Sequence, residues 1–312
     1  MAQQTAWDAA VMVQNPPHAV DTWQAAKVKW RQAIRLLEQI PDDVAVSADA
    51  RGKLAAYQLN YNIINQRLAV EQAAADTLDQ AQTLAWQAAV TVQYPPHSLK
   101  IWQRASAKWE EAIALLVSIP PTTSVSATAR AKLIAYRDNY YAISQRIETE
   151  QKTLVALKRF SETATNLSTL QVKAVTGQTA DPLGIGYEKY GEWVRSLKQS
   201  LAEISDQPAG KLHPAYGELK AAIADYEFAL DVWQSYLGFK EANSDWLYGD
   251  DFFNQLVPLS RIDSDTLLQR YKVKVHYGAK EAKVPLKFTL WAIWEQAGQR
   301  VSTAQQKVSR LN

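Results

Sequence analysis

The chain contains two nearly identical segments, residues 6–72 and 85–151, that align without a gap at a spacing of 79 residues. Of the 67 aligned pairs, 37 are identical. Self-similarity at this level indicates a tandem duplication, and a duplicated unit that cannot bury its own apolar face stacks against its copy. The duplication therefore predicts a repeat architecture for the first half of the chain.

The first part of each copy has apolar residues at intervals of three and four, which is the spacing of one stripe of an α-helix. In the first copy this stripe consists of Trp23, Ala26, Trp30, Ile34, Leu37 and Ile40. We expect Pro16 and Pro17 in the first turn of this helix, where a missing N–H costs nothing. Pro41, and Pro120 in the second copy, should end the stripe because proline cannot continue the helical ladder.

A second, longer helix is predicted to follow in each copy, with Ser47 and Ser126 as N-caps. Its stripe in the first copy is Leu54, Tyr57, Tyr61, Ile64 and Leu68. Neither proline nor a cluster of turn residues occurs before Pro95, so the helix should run on towards Tyr94, and its counterpart from Ser126 towards Val175. Helices of about 45 residues are typical of a long antiparallel bundle or a shallow solenoid. We therefore predict a mainly all-α fold of long antiparallel helices in a duplicated helical-hairpin, solenoid-like bundle.

The segment 175–186 clusters Gly, Thr, Asp and Pro, which indicates a loop and a boundary. It divides a repeat region at 6–175 from a mostly helical C-terminal subdomain at 186–312. Within the latter, residues 271–277 alternate apolar and polar side chains, which is a strand signal. We expect one short strand or a hairpin near 271–288, followed by a C-terminal helix; the alternative is that Pro285 opens that helix directly.

Composition excludes several classes of protein. Basic and acidic residues are nearly balanced, 34 against 32, which argues against a nucleic-acid protein held by phosphate contacts. The absence of cysteine excludes disulfides, thiolate metal sites and Cys nucleophiles. No apolar run is long enough to span a membrane.

The N-terminus leaves two expectations open. The chain starts without the basic and apolar stretches of a secretory signal. Either this is a native cytoplasmic start, or an initiator Met follows the removal of a leader or anchor. We expect a cytoplasmic or membrane-peripheral location, without a transmembrane segment in this chain.

Residues that carry chemistry are few and scattered. His18 and His97 follow Pro-Pro at matching positions but have no repeated acidic neighbour, so we interpret them as histidines at helix starts, and His213 likewise. His276 is interpreted as solvated. The glycines of Gly184–Gly186 lack the rest of a phosphate loop. Asp245, Asp250 and Asp251 lack the ligand spacing of a Ca²⁺ loop. We therefore predict a protein without enzymatic activity, metal or cofactor.

A polar row is the strongest candidate for a binding site. Its members are spaced by seven residues beside the apolar seam of the long helix and repeat in both copies. They are Lys53, Asn60, Arg67, Lys132, Asn139 and Arg146, flanked by Tyr57, Tyr61, Tyr136 and Tyr140. One interpretation is structural: the arginines pair along their own helices with Glu71 and Glu150. The other is a basic strip that receives an acidic or amphipathic partner segment.

The phrase W-x-x-A-x-x-x-W-x-x-A-I-x-x-L-x-x-I-P, at 23–41 and 102–120, resembles tetratricopeptide-type helical repeats. The larger unit, from AWxAAVxVQxPPH to KLxAYxxNY, resembles duplicated segments of uncharacterised cyanobacterial proteins. The resemblance covers about 6–151. The period of 79 residues departs from the 34 of the tetratricopeptide family. What the resemblance implies is a helix-hairpin interaction scaffold and, for the cyanobacterial relatives, a role near photosynthetic membranes.

Duplicated helices without reactive groups favour a non-enzymatic scaffold or adaptor that binds another protein. The alternative is a carrier that holds a lipid or pigment among aromatic residues of the second half, with Trp193, Trp233, Trp291 and Trp294 lining the cavity. A hydrolase with dispersed catalytic residues is a third, weaker hypothesis.

Overall fold

The structure is a computed structural model that describes residues 1–177, 183–243, 255–278 and 280–311. Within these ranges it contains nine α-helices and three short β-strands. The helices are α1 (Ala2–Met12), α2 (Val20–Glu38), α3 (Ser47–Thr91), α4 (Leu99–Ser118), α5 (Ser126–Val175), α6 (Tyr187–Ser205), α7 (Tyr216–Ala242), α8 (Ser264–Arg270) and α9 (Leu286–Ser309). The strands are β1 (Leu256–Pro258), β2 (His276–Tyr277) and β3 (Ala282–Pro285). The predicted mainly all-α fold with a short hairpin is confirmed.

The long helices have the predicted extents. Helix α3 runs unbroken for 45 residues, and α5 runs for 50 and ends at Val175. Their starts differ in detail from the prediction. Helix α3 begins with Ser47 itself, so Val46 holds the N-cap position and no side chain caps the helix.

The Pro-Pro pairs lie outside the helices rather than in their first turns, because α2 begins only at Val20 and α4 only at Leu99. Both Pro-Pro bonds are cis. The following residues form a loop held by an indole. The Nε1–H of Trp23 donates to the His18 carbonyl oxygen at 3.1 Å, and Trp102 donates to His97 at 3.1 Å.

The chain divides into two compact units, Met1–Gln93 with Gln103–Ser144 and Tyr94–Trp102 with Gln145–Asn312. The sequence-based boundary at 175–186 lies inside the second unit. The division into a repeat region at 6–175 and a C-terminal subdomain at 186–312 stays a prediction.

The core of the first unit is built from large indoles set between alanines. Trp23 and Trp30 are buried on α2, and the neighbouring Ala26 and Ala33 have no exposed surface. Alanine lets neighbouring helices approach closely, and each indole then fills the remaining space. Trp30 meets Tyr57 of α3 edge-on, with 5.3 Å between ring centroids. The second copy repeats this contact between Trp109 and Tyr136 at 5.1 Å.

The core of the second unit is formed mainly by α6, α7 and α9. Tyr190 of α6 donates its hydroxyl to the Tyr226 carbonyl oxygen of α7 at 3.0 Å. Helix α9 runs antiparallel to α7, because Arg300 contacts Asp225 whereas Lys307, one heptad further on, contacts Glu218. Two faces of α7 are therefore covered, one by α6 and one by α9.

The small sheet has the antiparallel order β1-β3-β2. The alternation at 271–277 matches burial as far as Val275, since Tyr271 is buried and Lys272 exposed, but Tyr277, expected on the apolar face, is 85% exposed. Only His276 and Tyr277 pair with a partner strand, however. Alternation indicates which side chains face a core, and it cannot indicate whether a second strand is present. β1 was not predicted, because the stretch around it has no periodicity.

Helices α6 and α7 repeat the short-long order of α4 and α5, and we interpret them as a third, degenerate copy of the repeat. Helix α6 starts 88 residues after α4, and α7 starts 90 residues after α5. At these offsets Trp102 and Trp109 correspond to Tyr190 and Leu197, and Pro120 to Pro208. The buried Tyr136 corresponds to the buried Tyr226. We therefore interpret α6 and α7 as a third hairpin related to the two that sequence identity reveals.

We expect Trp30→Ala to lower the free energy of unfolding by about 3–5 kcal/mol, because it removes a buried indole and leaves a cavity. Trp30 is 5% exposed, whereas Trp86, which we use as the control, is 67% exposed. Trp86→Ala should change stability by less than about 0.5 kcal/mol. Urea unfolding followed by circular dichroism measures both, and equal losses would contradict this core assignment.

Candidate functional site

A buried carboxylate joins the first long helix to the loop that follows α4. Glu71 is fully buried, and its Oε2 accepts from the backbone N–H of Ser124 at 2.8 Å and from the Ser124 hydroxyl at 3.0 Å. Its Oε1 accepts from Nη2 of Arg67 at 3.1 Å. A buried charge is tolerated when it is paired and hydrogen-bonded in this way. We call Arg67, Glu71 and Trp23 the first junction.

Arg67 completes the first junction. Its guanidinium lies over the Trp23 ring, 5.7 Å from the centroid. Its Nη2 also donates to the Thr122 carbonyl oxygen, and its Nη1 lies 3.5 Å from the Thr122 hydroxyl. The predicted pairing of Arg67 with Glu71 is therefore present, and this member of the polar row is engaged within the protein.

The second junction has the same three residue types at Trp102, Arg146 and Glu150. The Arg146 guanidinium lies over the Trp102 ring at 5.9 Å. Glu150, however, contacts Nε2 of His213 at 3.2 Å instead of pairing with Arg146. His213 is buried, which the interpretation as an ordinary helix-start histidine did not anticipate. The sequence does not reveal the contact of His213 with Glu150. The contact becomes apparent only when the loop before α7, which contains His213, is compared with the loop before α5, which contacts Glu71.

The lysines and asparagines of the polar row are free. Lys53, Asn60 and Lys132 are half-buried and Asn139 is exposed. Within the described ranges, no hydrogen bond or ion pair engages their side chains.

The flanking tyrosines are mostly used internally. Tyr57 and Tyr136 pack against the core indoles Trp30 and Trp109. The Tyr61 hydroxyl accepts from Arg31 at 3.0 Å. Tyr140 is half-buried.

The free residues lie on one face of each long helix, at spacings of three and four. In the first copy this face comprises Lys53, Ala56, Asn60 and Ile63, and in the second Lys132, Ala135, Asn139 and Ala142. We call it the strip face. Ile63 is 54% exposed on it.

The corresponding face of the third copy is completely covered. Its residues are Ala222, Asp225, Ala229 and Val232, and none has exposed surface. Helix α9 covers it: Arg300 Nε donates to Asp225 Oδ2 at 2.6 Å, and Lys307 Nζ donates to Glu218 Oε1 at 2.8 Å. The repeat therefore presents a face on which an antiparallel helix packs.

Asp225 is the centre of a buried polar cluster that periodicity did not reveal. Besides Arg300, it accepts from Arg270 Nη2 at 2.7 Å and from the Tyr271 hydroxyl at 2.7 Å. The available signal was a lone acidic residue between Ala222 and Tyr226 on an otherwise apolar helix face. Two guanidinium groups and a phenol satisfy this carboxylate, so we assign it a structural role.

The other candidates have structural surroundings where the structure describes them. His18 donates from Nε2 to the Gln14 carbonyl oxygen at 2.7 Å, and His276 is exposed. Gly184 has φ +73°, and a Cβ there would lie 3.1 Å from Leu170, so glycine is required at this turn. Asp245, Asp250 and Asp251 lie outside the described residues. In the described ranges no group of three or more His, Cys, Asp or Glu side chains is arranged to hold a metal ion.

Comparison of the chain with protein families, with curated proteins and with solved structures finds no match. Among the described residues, no helix combines the length and apolarity needed to cross a membrane.

We expect Glu71→Ala to cost about 3–5 kcal/mol of stability, because it leaves the Arg67 charge and the Ser124 N–H without their partner. Glu148→Ala is the control, since the Glu148–Lys152 ion pair on α5 is half-exposed and should contribute less than about 1 kcal/mol. Chemical denaturation measures both variants. A loss for Glu71→Ala no larger than that of the control would contradict the role of the junction.

Stability should fall in alkaline solution. Burial raises the pKa values of Tyr190 and Tyr226 well above the ordinary value for tyrosine, and burial together with the hydrogen bond to Asp225 does the same for Tyr271. Above about pH 10 the unfolded chain releases these protons while the folded chain retains them. The free energy of unfolding is therefore unaffected below that pH and decreases as the pH rises above it.

Urea unfolding at several values between about pH 8 and about pH 11 measures this slope. Tyr271→Phe should reduce the slope, whereas Tyr277→Phe, at an exposed tyrosine, should leave it unchanged. A free energy of unfolding that stays constant across the range would contradict the assignment.

Proposed function

We propose that this chain is a non-enzymatic scaffold or adaptor whose first two repeats bind a helix of a partner protein along the strip face. The observation that carries the proposal is internal to the molecule: the same face of the third repeat is occupied by α9. A helix packed there removes four residues of α7 from water. In the first two copies, no described residue forms a hydrogen bond or ion pair with the lysine and asparagine side chains of this face.

Charge indicates what kind of helix fits. On the third repeat the face is acidic, through Glu218 and Asp225, and the covering helix is basic, through Arg300 and Lys307. On the first two copies the charged members of the strip face are Lys53 and Lys132, which align with Ala222. The position of Glu218 is Asp49 in the first copy and Thr128 in the second. Complementary charge favours the correct partner and suppresses incorrect ones. The partner helix should therefore be acidic along its edge and apolar towards Ile63.

The packing of the second half supports this proposal over a lipid or pigment carrier. Trp233 and Trp294 are buried against Tyr190, with centroid distances of 5.9 and 5.3 Å. Trp193 is half-buried, and Trp291 packs beside Phe288, where both line a surface pocket of about 470 Å³. These four indoles take part in core and surface packing. A location near photosynthetic membranes, which the family resemblance implies, stays a prediction.

The test is affinity capture from cells that express the chain, with Lys53→Glu and Lys132→Glu combined in one variant. Reversing both charges should reduce the yield of specifically captured partners about tenfold or more, because each lysine would face an acidic helix. The matched control reverses Lys220 and Lys240, two exposed lysines of α7. Circular dichroism and unfolding curves should be unchanged in both variants, since surface substitutions alter stability little.

Partners that bind the charge-reversed variant as well as the native chain, with folding intact, would remove the proposal. Equal losses in the control variant would also contradict it, because the effect would then report net charge rather than the strip face.

A further inference from the structure

The two junctions contain the same three residue types, Trp, Arg and Glu. They differ in the groups that contact the arginine and the glutamate. In the first junction, Thr122 places its carbonyl oxygen on Arg67 and Ser124 places its N–H on Glu71. The chain itself thus shows which groups this arrangement accepts: an oxygen acceptor on the arginine and a donor on the glutamate. The site is filled by a neighbouring loop.

In the second junction the glutamate has a hydrogen-bond partner, and the arginine has none among the described residues. The backbone N–H of Ala215 donates to Nδ1 of His213, so the neutral ring carries its proton on Nε2 and donates it to Glu150. Arg146 has neither a hydrogen bond nor an ion pair with any described residue; its one recorded contact is the Trp102 ring. Arg67 forms an ion pair with Glu71 at 3.1 Å, whereas Arg146 forms no ion pair with Glu150, whose carboxylate contacts His213 instead.

A cavity of about 220 Å³ lies at this position within the second unit. Its walls include Pro96, Trp102, Arg146, Glu150 and His213. Since a water molecule takes roughly 30 Å³ of liquid volume, the cavity has room for a group the size of an amino acid. Trp102 and the proline supply an apolar wall beside the guanidinium donors. This combination of mostly apolar surface and a few placed polar groups is typical of a small ligand site.

We propose that this cavity binds a carboxylate through Arg146, as the terminal group of a peptide or as a small organic acid. A carbonyl oxygen is sufficient in the first junction because Glu71 already neutralises the arginine. Among the described residues Arg146 has no ion pair of this kind, so its guanidinium is left to pair with an anionic oxygen of a ligand. Arginine offers two parallel N–H donors to a carboxylate, which makes this pairing strong and geometrically specific. The proposal does not depend on the proposed partner helix.

Isothermal titration calorimetry on the full chain tests the proposal with three probes. They are the dipeptide N-acetyl-Thr-Ser with a free carboxylate, the same dipeptide as its C-terminal amide, and succinate. At least one free carboxylate should give saturable binding, and the dipeptide acid should bind at least about tenfold more tightly than its amide. Stronger binding of the peptide acid indicates a peptide C-terminus as the ligand, and stronger binding of succinate indicates a small acid; either result supports the site.

Arg146→Gln should weaken the binding at least about tenfold. The matched control is Arg137→Gln on the same helix, where an exposed arginine makes no hydrogen bond or ion pair with a described residue, and it should bind like the native chain. The comparison of acid with amide uses the native protein, so the proposal remains testable if Arg146→Gln folds poorly. The absence of saturable binding with every probe, or equal binding of acid and amide, would overturn it.

Discussion

The first two repeats are each held together by the edge-on contact between an indole of the short helix and a tyrosine of the long one. Trp30 with Tyr57 and Trp109 with Tyr136 have the same geometry in both copies. Aromatic pairs of this kind contribute more than their buried area alone, and the intervening alanines set how closely the helices approach. Because this contact fixes the rotation of the long helix, it also fixes which residues face away from the hairpin. The strip face and the junction residues are consequences of that rotation.

The third copy shows how the array ends. At the positions of Arg146 and Glu150, α7 has Tyr236 and Lys240, so it lacks the junction that receives a following loop. At the positions of Lys132 and Asn139 it has Ala222 and Ala229, and α9 packs over them. Terminal repeats of helical arrays commonly have their exposed face capped in some way. Here the cap is α9, a helix of the same chain. It packs on the face of α7 that corresponds to the strip face of the first two copies.

The duplication made the helices predictable. An apolar spacing that occurs in both copies identifies a helix more reliably than the same spacing in a single segment. The uninterrupted course of α5 to Val175 followed from the absence of breakers. Sequence reasoning failed where a partner from far along the chain decides the outcome. Arg67 and Arg146 look identical in sequence, and only the loops at Thr122 and His213 distinguish them. The strand signal at Tyr271 was incomplete for the same reason, since pairing depends on Ala282–Pro285 and on β1.

The polar row was likewise only partly predictable. Its spacing identified a helix face, but the engagement of Arg67 by Glu71 and the internal use of Tyr57 depend on tertiary contacts. The third copy was not detected because substitutions such as Trp102 to Tyr190 preserve burial while they remove identity. Helix α9 could therefore not be recognised as the occupant of a repeated face before its contacts with Asp225 and Glu218 were known.

The central claim is that a partner helix binds the strip face, which contains Lys53 and Lys132. Amine acylation of the complex isolated from expressing cells, analysed by mass spectrometry, measures it directly. The account predicts that Lys53 and Lys132 react more slowly in the complex than in the free chain, while Lys220 reacts equally in both. Unchanged reactivity of Lys53 and Lys132 in a complex that protects other lysines would contradict it.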